Sequence, residues 1–515
     1  MALTQKIIAK GEKLFKKYLK CFWNQAKNLK NLRDYSTCPP TDLEKIALAD
    51  EYIAEANRFI NLGKPANAVD YYQKVLAIYP NHARTFFFLG MALVECNKID
   101  AAKDAFCNSA RFFERKETEL IWGTVPLINN KYLSNAMSDI GWKSNTLVTH
   151  YYSVYKREDF DIYFEELIPT WLTNEILKTR LSPYFSMLYI LEHASIVFIP
   201  FLGGAFGSTP LWDFESQLLQ QAGIKTVLAS YGGDTWLYSQ ILNPCLRHVL
   251  ISDYPQAGRS EETIAAKVRY WQENADIVVF GVVDGISRWD VLPVNYVCID
   301  ESQWQPKKYY SQNDGINGVV RVIHTPNHRA VKGTEFLLHA VEQLKAEGLQ
   351  IDLILLEGVP NERVRELMQE ADILAEQFIL RYGLSGIEGM ASGLPVMSPL
   401  DFEVYTRLLR RYSYLDECPI VSTTPENLLI NLRTLIKHPE LRQELGIAGR
   451  QYVEKYHSRK AAQYIFGSVC EKLLYGKDIN LMNLFHPLLS SYNKSSPYIH
   501  HPLLENNLPK KYLEY

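Results

Sequence analysis

Short apolar, β-branched runs alternate with stretches of helical periodicity between about residue 117 and residue 475, and this alternation constrains the fold more than any other feature of the chain. In the first half the candidate strands are 146–150, 196–200, 226–230, 248–251 and 277–281. In the second half they are 319–324, 352–357, 394–398 and 419–422, with helical periodicity over 334–346, 361–370, 425–437 and 441–455. Repeated strand–helix units build parallel sheets with helices on both faces. Two such series predict an α/β architecture of two Rossmann-like, doubly wound domains, 117–305 and 306–475, with a ligand cleft between them. The stretch 291–310 fits neither period, carries Pro293 and Pro306, and marks the hinge.

A different period precedes this body. Residues 49–116 repeat every 34 positions: Tyr52 matches Phe86, Ala56 matches Gly90, Phe59 matches Leu93, Ala68 matches Ala102, and Tyr72 matches Phe106. Large residues recur where antiparallel helices meet, and small ones where they approach closely. The period and residue types resemble the tetratricopeptide repeat, which gives an all-α module over 41–116. Two repeats are fewer than such arrays usually need, so a flanking helix or the next domain must cover an open end. The module reads equally as a docking surface for a protein partner and as a structural cap.

Upstream, residues 1–40 form a basic segment. On a helix, Ile7, Leu14, Phe15, Leu19 and Phe22 share one face, and Lys6, Lys10, Lys13, Lys17 and Lys20 share the other. That pattern suits either an anionic membrane surface or packing on the neighbouring domain. At the other end, 476–515 is rich in Asn, Pro, Tyr and Ser, carries HPLL at 486–489 and again at 501–504, and reads as an extended or mobile tail. The charge balance of 55 basic to 58 acidic residues gives no footprint for nucleic acid. Eight scattered cysteines without a C-x-x-C pair fit a reduced cytoplasmic chain, peripheral at most to the inner membrane face, with no zinc site.

Three stretches carry candidate chemistry. His324-Thr-Pro-Asn-His-Arg-Ala-Val-Lys-Gly-Thr334 follows a strand and opens a helix. There, free N–H groups, Arg329 and Lys332 could hold a diphosphate, and Gly333 could let the backbone approach. Taken alone, the stretch reads as readily as an ordinary connection with two solvated cations. The second runs from Arg381 to Val396: Gly383 and Leu384 begin a short helix, and Glu388 one turn in can accept both hydrogen bonds of a ribose diol, or simply sit on the helix surface. The third is Tyr231-Gly232-Gly-Asp234 at a strand tip, where glycines permit close approach to a ligand and Asp234 could cap the next helix.

The segments HTPNHRAVKGTEFLLHAVEQLKAEG and YGLSGIEGMASGLPV resemble the second half of nucleotide-sugar glycosyltransferases of the GT-B class, in the large retaining family 4. HPELRQELGIAGRQYVEKYHS is similar to that family's C-terminal helices, LLQQAGIKTVLASYGGDTW to its first-half HGSD strand and loop, and GTVPLINNKYLSNAMSDIGWKS to its N-terminal glycine loop; together they span roughly 120–475. The resemblance implies a hexosyltransferase holding a UDP- or GDP-sugar as co-substrate, with no cofactor and no metal. Arg329, Lys332 and Gly333 would match the diphosphate clamp, with Gly383 and Leu384 beside it. Glu388 would match the ribose-binding glutamate, and Gly123 with Thr124 the loop over the phosphates. Tyr231, Gly232, Asp234 and Leu380 would fall on the sugar or acceptor side. Two positions depart from the family: a glutamate common eight residues before Glu388 is Leu380, and the usual histidine is Tyr231. The expectation is transfer of a sugar to a glycan, a lipid-linked acceptor or a protein. The alternative is a catalytically degenerate scaffold whose repeats recruit partners. A repeat-bearing protein O-glycosyltransferase ranks below both, because the motifs are of another kind.

Overall fold

The structure, a computed structural model, describes residues 43–114, 118–279 and 295–513. The basic segment 1–40 and the start of the 291–310 stretch lie outside the described residues. Contacts divide the chain into two compact units, one reaching Ser109 and including Ile168–Leu181, the other comprising Ala110–Leu167 and the chain from Ser182 onward.

The first unit is helical. Its helices are Leu43–Asn61, Pro65–Ile78, Ala83–Glu95 and Ile99–Phe112. The turns fall at Gly63 and Asn97, both at positive φ and 34 positions apart. The expected open end is met by a segment that the sequence reading assigned to the next domain. Trp171 packs edge-on against Phe88 at 6.3 Å, Asn61 Oδ1 accepts from Thr173 N at 2.7 Å, and the Asn61 amide donates to the Trp171 carbonyl. The unit therefore ends earlier than residue 116 and draws in Ile168–Leu181.

The second unit holds both sheets. The first contains β1 (Glu119–Thr124), β2 (Lys143–Val148), β3 (Ile162–Tyr163), β4 (Ala194–Ile199), β5 (Lys225–Ala229) and β6 (Ile277–Val279). All pair in parallel, in the order β3-β2-β1-β4-β5-β6. The second contains β7 (Val320–His324), β8 (Ile351–Leu355), β9 (Ile373–Ala375), β10 (Val396–Ser398) and β11 (Val421–Ser422), parallel in the order β11-β10-β9-β7-β8. In each sheet the chain winds first to one side and then to the other. This puts a switch point between β1 and β4 and another between β7 and β9, where open α/β sheets bind ligands. Strands covered on both faces are buried along their whole length, as β1 and β10 are. Beneath β1, Trp122 stacks on Phe198 at 3.7 Å and donates its indole N–H to Ser144 Oγ at 2.8 Å.

Three local expectations are corrected. Residues 248–251 are not a strand but part of the helix Pro244–Asp253. Asn243 Oδ1 accepts from Cys245 N and Leu246 N, and Pro244 pre-sets the first turn, so local capping outweighs β-branched composition. Strands β1 and β9 were not anticipated. β1 ends on Gly-Thr, which reads as a loop, and β9 is three residues long, too short to show a period. The tail is anchored, not free. Leu481, Leu484, Phe485 and Ile499 join the main core and Leu503 and Leu508 the core of the second sheet, while Asn506 Nδ2 donates to the carbonyls of Cys418 and Ile420 at 2.6 and 3.1 Å.

Candidate active-site cleft

Within the second unit, a cleft of about 600 Å³ opens between the carboxyl ends of the two sheets. Its wall from the first half includes Leu127–Asn130, Tyr155 and the β5 tip at Tyr231 and Gly232. Its wall from the second half includes Lys332, Leu380, Gly383, Leu384 and Glu388. Seven of the residues nominated by sequence thus meet there, from segments far apart in the chain, while Lys332 is joined by partners the sequence reading overlooked.

The chief of these is Glu376, directly after β9 and fully buried. Its Oε1 accepts from Lys332 Nζ at 3.1 Å, Ser385 Oγ at 2.8 Å and Gly383 N at 3.2 Å. Lys332 Nζ also donates to Ser385 Oγ at 3.0 Å. Glu376 Oε2 is buried with no hydrogen-bond partner. The lysine charge is therefore balanced inside the protein, and the helix Leu384–Ala391 begins at this constellation. The first N–H groups of a helix have no intrahelical acceptor, and Gly383, Leu384 and Ser385 line the cleft, so this helix start offers anion-binding donors there. The signal that could have revealed Glu376 is an acid following a short apolar run, visible only once β9 is recognised.

Glu388 lies one turn into the same helix, 4% exposed, with Oε1 accepting from Asn361 Nδ2 at 3.2 Å. Burial pushes its carboxyl up to about 7, against the opposing pull of Asn361, Arg365 and Lys332. Burial together with the Glu388 charge raises the Tyr155 hydroxyl to about 12, and both side chains line the cleft. His324, at the end of β7, bridges the switch point. Its Nδ1–H donates to the Ala375 carbonyl at 2.6 Å, which leaves Nε2 to accept from Thr334 Oγ1 at 2.9 Å. Burial lowers this imidazole to about 4, so it stays neutral and clamps the loops that carry Glu376 and Lys332.

Four nominated residues sit elsewhere. Arg329 lies outside the lining, its guanidinium paired with Glu335 and Glu357 at 2.7 and 3.1 Å on the surface. The short helix Arg329–Lys332 is not open to a ligand, because Val331 N donates to Asp253 Oδ2 at 3.0 Å. Tyr254 stacks near His328 at 4.4 Å, and Val331, Ile379 and Leu380 join Ile241 and Leu246 in one apolar cluster. The helix mistaken for a strand thus covers the expected phosphate cradle. Gly333 ends that short helix at φ +70, where a side chain would press on Phe378. Gly123 lies inside β1, where a Cβ would stand 1.9 Å from the Leu147 carbonyl, so it serves sheet packing and leaves the cleft to Leu127–Asn130. Asp234 is fully buried behind the cleft wall. It accepts from Phe201 N at 3.0 Å, Ser230 Oγ at 2.8 Å and Gly232 N at 3.0 Å, tying the tips of β4 and β5 together. Burial raises it to about 6. Among the described residues, no three His, Cys, Asp or Glu side chains form a group that could hold a metal ion.

No protein-family model matches the chain, and no curated protein matches it in sequence. Solved structures do resemble it. One is the Staphylococcus aureus MnaA–UDP co-structure, at 12% identity and a TM-score of 0.39, covering 69% of this chain and 97% of that one. Another is an alpha-glucosyltransferase in complex with UDP and a DNA 13-mer, at 11% identity and a TM-score of 0.40, covering 66% and 96%. A third is an O-GlcNAc transferase from Thermobaculum terrenum, at 11% identity and a TM-score of 0.36, covering 80% and 94%.

Proposed function

We propose that the chain is a GT-B-type glycosyltransferase that moves a sugar from a nucleotide sugar, a UDP- or GDP-sugar, to a second substrate held by the first half. The observation that carries this reading is the first turn of the helix Leu384–Ala391, which enters the cleft beside Lys332 and Ser385 with Glu388 one turn behind. A diphosphate at that turn meets N–H groups and an ammonium, which offset charge on the leaving group without solvent reorganisation. The ribose diol then reaches Glu388, which accepts both of its hydrogen bonds when ionised. Arg329 has no part in this arrangement.

Thermal stabilisation by UDP-, GDP- and ADP-sugars tests the assignment, followed by product detection with the best binder. Lys332→Ala is expected to abolish stabilisation by the nucleotide, and Arg329→Ala to leave it intact. Equal loss in both variants, or no loss in either, overturns the site. A second reading, a scaffold that binds the nucleotide without turnover, is favoured by the apolar character of Leu380 and its neighbours at the sugar side of the cleft. Slow hydrolysis of a bound nucleotide sugar would exclude it, since binding alone releases no free sugar.

A further inference from the structure

The apolar cluster that covers the short helix Arg329–Lys332 is also a wall of the cleft. Val331, Ile379 and Leu380 contribute to it from the second half, and Trp236 and Tyr254 from the first. Val331 is 6% exposed, whereas the other four are half-buried and line the cleft with the surface they keep. Gly232 at the β5 tip makes room for the indole: a Cβ there would stand 3.2 Å from the Trp236 ring. The rings of Trp236 and Tyr254 lie 6.3 Å apart, so they form one continuous face.

Covalent order fixes which part of a nucleotide sugar reaches this wall. The diphosphate joins the ribose to the sugar. With the diphosphate at the helix start 383–385 and the ribose at Glu388, one turn further on, the sugar falls on the other side of the phosphates. That side holds Ile379 and Leu380, just before the helix, and Val331, next to Lys332 in the chain. These three side chains carry no hydrogen-bonding group. Of the polar groups nearby, the Gln377 amide donates to the Arg381 carbonyl, while Thr325 and Asn327 line the cleft from the loop after β7 and can serve ring hydroxyls. A sugar hydroxyl turned against Ile379 and Leu380 would give up its water and gain no partner, whereas a methyl group there would bury apolar surface.

We infer that the transferred sugar is a 6-deoxyhexose, with its methyl group lodged against Ile379, Leu380 and Trp236, and that these side chains set the choice of donor. The inference rests on the transferase reading above. Carbon 6 projects farthest from a hexose ring, and loss of its hydroxyl leaves a methyl group at that end. An N-acetyl group also presents a methyl, but it brings an amide N–H and a carbonyl that need partners of their own. Leucine at position 380 fits this donor, because a carboxylate there would call for a hydroxyl to accept from.

The test compares nucleotide sugars that differ only at carbon 6: GDP-L-galactose with GDP-L-fucose, GDP-D-mannose with GDP-D-rhamnose, and UDP-D-glucose with its 6-deoxy counterpart. Calorimetric titration of the full-length protein gives a Kd for each, with free UDP and GDP titrated alongside. In at least one pair the 6-deoxy member is expected to bind roughly tenfold to a hundredfold tighter. Leu380→Gln should bring that ratio close to one, and Trp236→Ala, the second variant, should lower it several-fold. Because each ratio is taken within one variant, a general loss of affinity does not mimic the effect. Equal affinity within every pair, while UDP or GDP still binds, overturns the inference and leaves the transferase reading standing. So does a preference that both variants retain. Tighter binding of octyl than of methyl β-glucoside, without any 6-deoxy preference, would give the wall to the apolar tail of an acceptor instead. Failure of both free nucleotides to bind overturns the inference and the transferase reading together.

Discussion

The loops after β7 and after β9 leave the same sheet at the same end, and each runs from a strand into a helix. In sequence the first looks the better anion site, with Arg329, Lys332 and Gly333 in five residues. In the fold Val331 N at its helix start is taken by Asp253 and its arginine by two surface acids, and of the three only Lys332 lines the cleft. The second loop carries a single basic residue, Arg381, which lines the cleft, and it leads into a helix start at the cleft and supplies the acid that fixes Lys332. A cation near a strand end marks an anion site only where acids of the fold have not already drawn it, or the helix start beside it, to themselves.

Glu376→Ala breaks the second loop most severely. It leaves the ammonium of Lys332, only 10% exposed, without a counter-charge, and should cost about 3–5 kcal/mol in denaturant unfolding. The matching change at the first loop, Glu335→Ala, removes an exposed partner of Arg329 and should leave unfolding unchanged. Equal effects would mean that the two loops do not differ as described.

The next effect is a pH dependence. The Glu388 carboxyl is raised from its ordinary 4.5 to about 7, so between those values the folded chain binds more protons than the unfolded one. Stability from this group therefore falls as pH rises through that window, by at most about 1.4 kcal/mol per pH unit, and is level above it. Asp234, raised to about 6, and Glu215, raised to about 7, act in the same direction, so the contribution is read as the difference between wild type and Glu388→Gln. Nucleotide affinity should rise between pH 6 and 8 as Glu388 ionises. A flat affinity profile in the wild type would remove Glu388 from ribose binding.

The smallest effect sharpens the first loop. Asp253→Ala withdraws the acceptor of Val331 N and should cost about 1 kcal/mol, with no change in nucleotide stabilisation. Tighter nucleotide binding in this variant would show that the helix Arg329–Lys332 is a phosphate cradle held shut.

Legibility followed length and locality. The helices Thr334–Ala346 and Asn361–Glu370 match the positions expected from their periodicity, because an amphipathic stripe repeats several times within each. Strand β9 repeats nothing in three residues, and with it went Glu376. The helix Pro244–Asp253 was misread because Val249, Leu250 and Ile251 favour a strand, while its start signal, Asn243-Pro244, lies outside that run. Glu388 was legible because its helix is entered through Gly383 and left through Gly393, both visible as punctuation. The tail composition signalled disorder, but its few apolar side chains are spaced to fill the cores.

The order of residues alone determined that this chain alternates strand and helix into parallel sheets, that a 34-residue helical period precedes them, and that Lys332 follows a strand end while Glu388 lies one turn into a short helix. Those properties arise from neighbours within a few positions, where periodicity and backbone preference act. Tertiary structure alone decided that Arg329 faces solvent, that Asp253 closes one helix start, and that Glu376 balances Lys332 beside another. Each of those outcomes depends on a charge or hydrogen bond supplied from tens of residues away, and such energies exist only after the chain has brought the groups together.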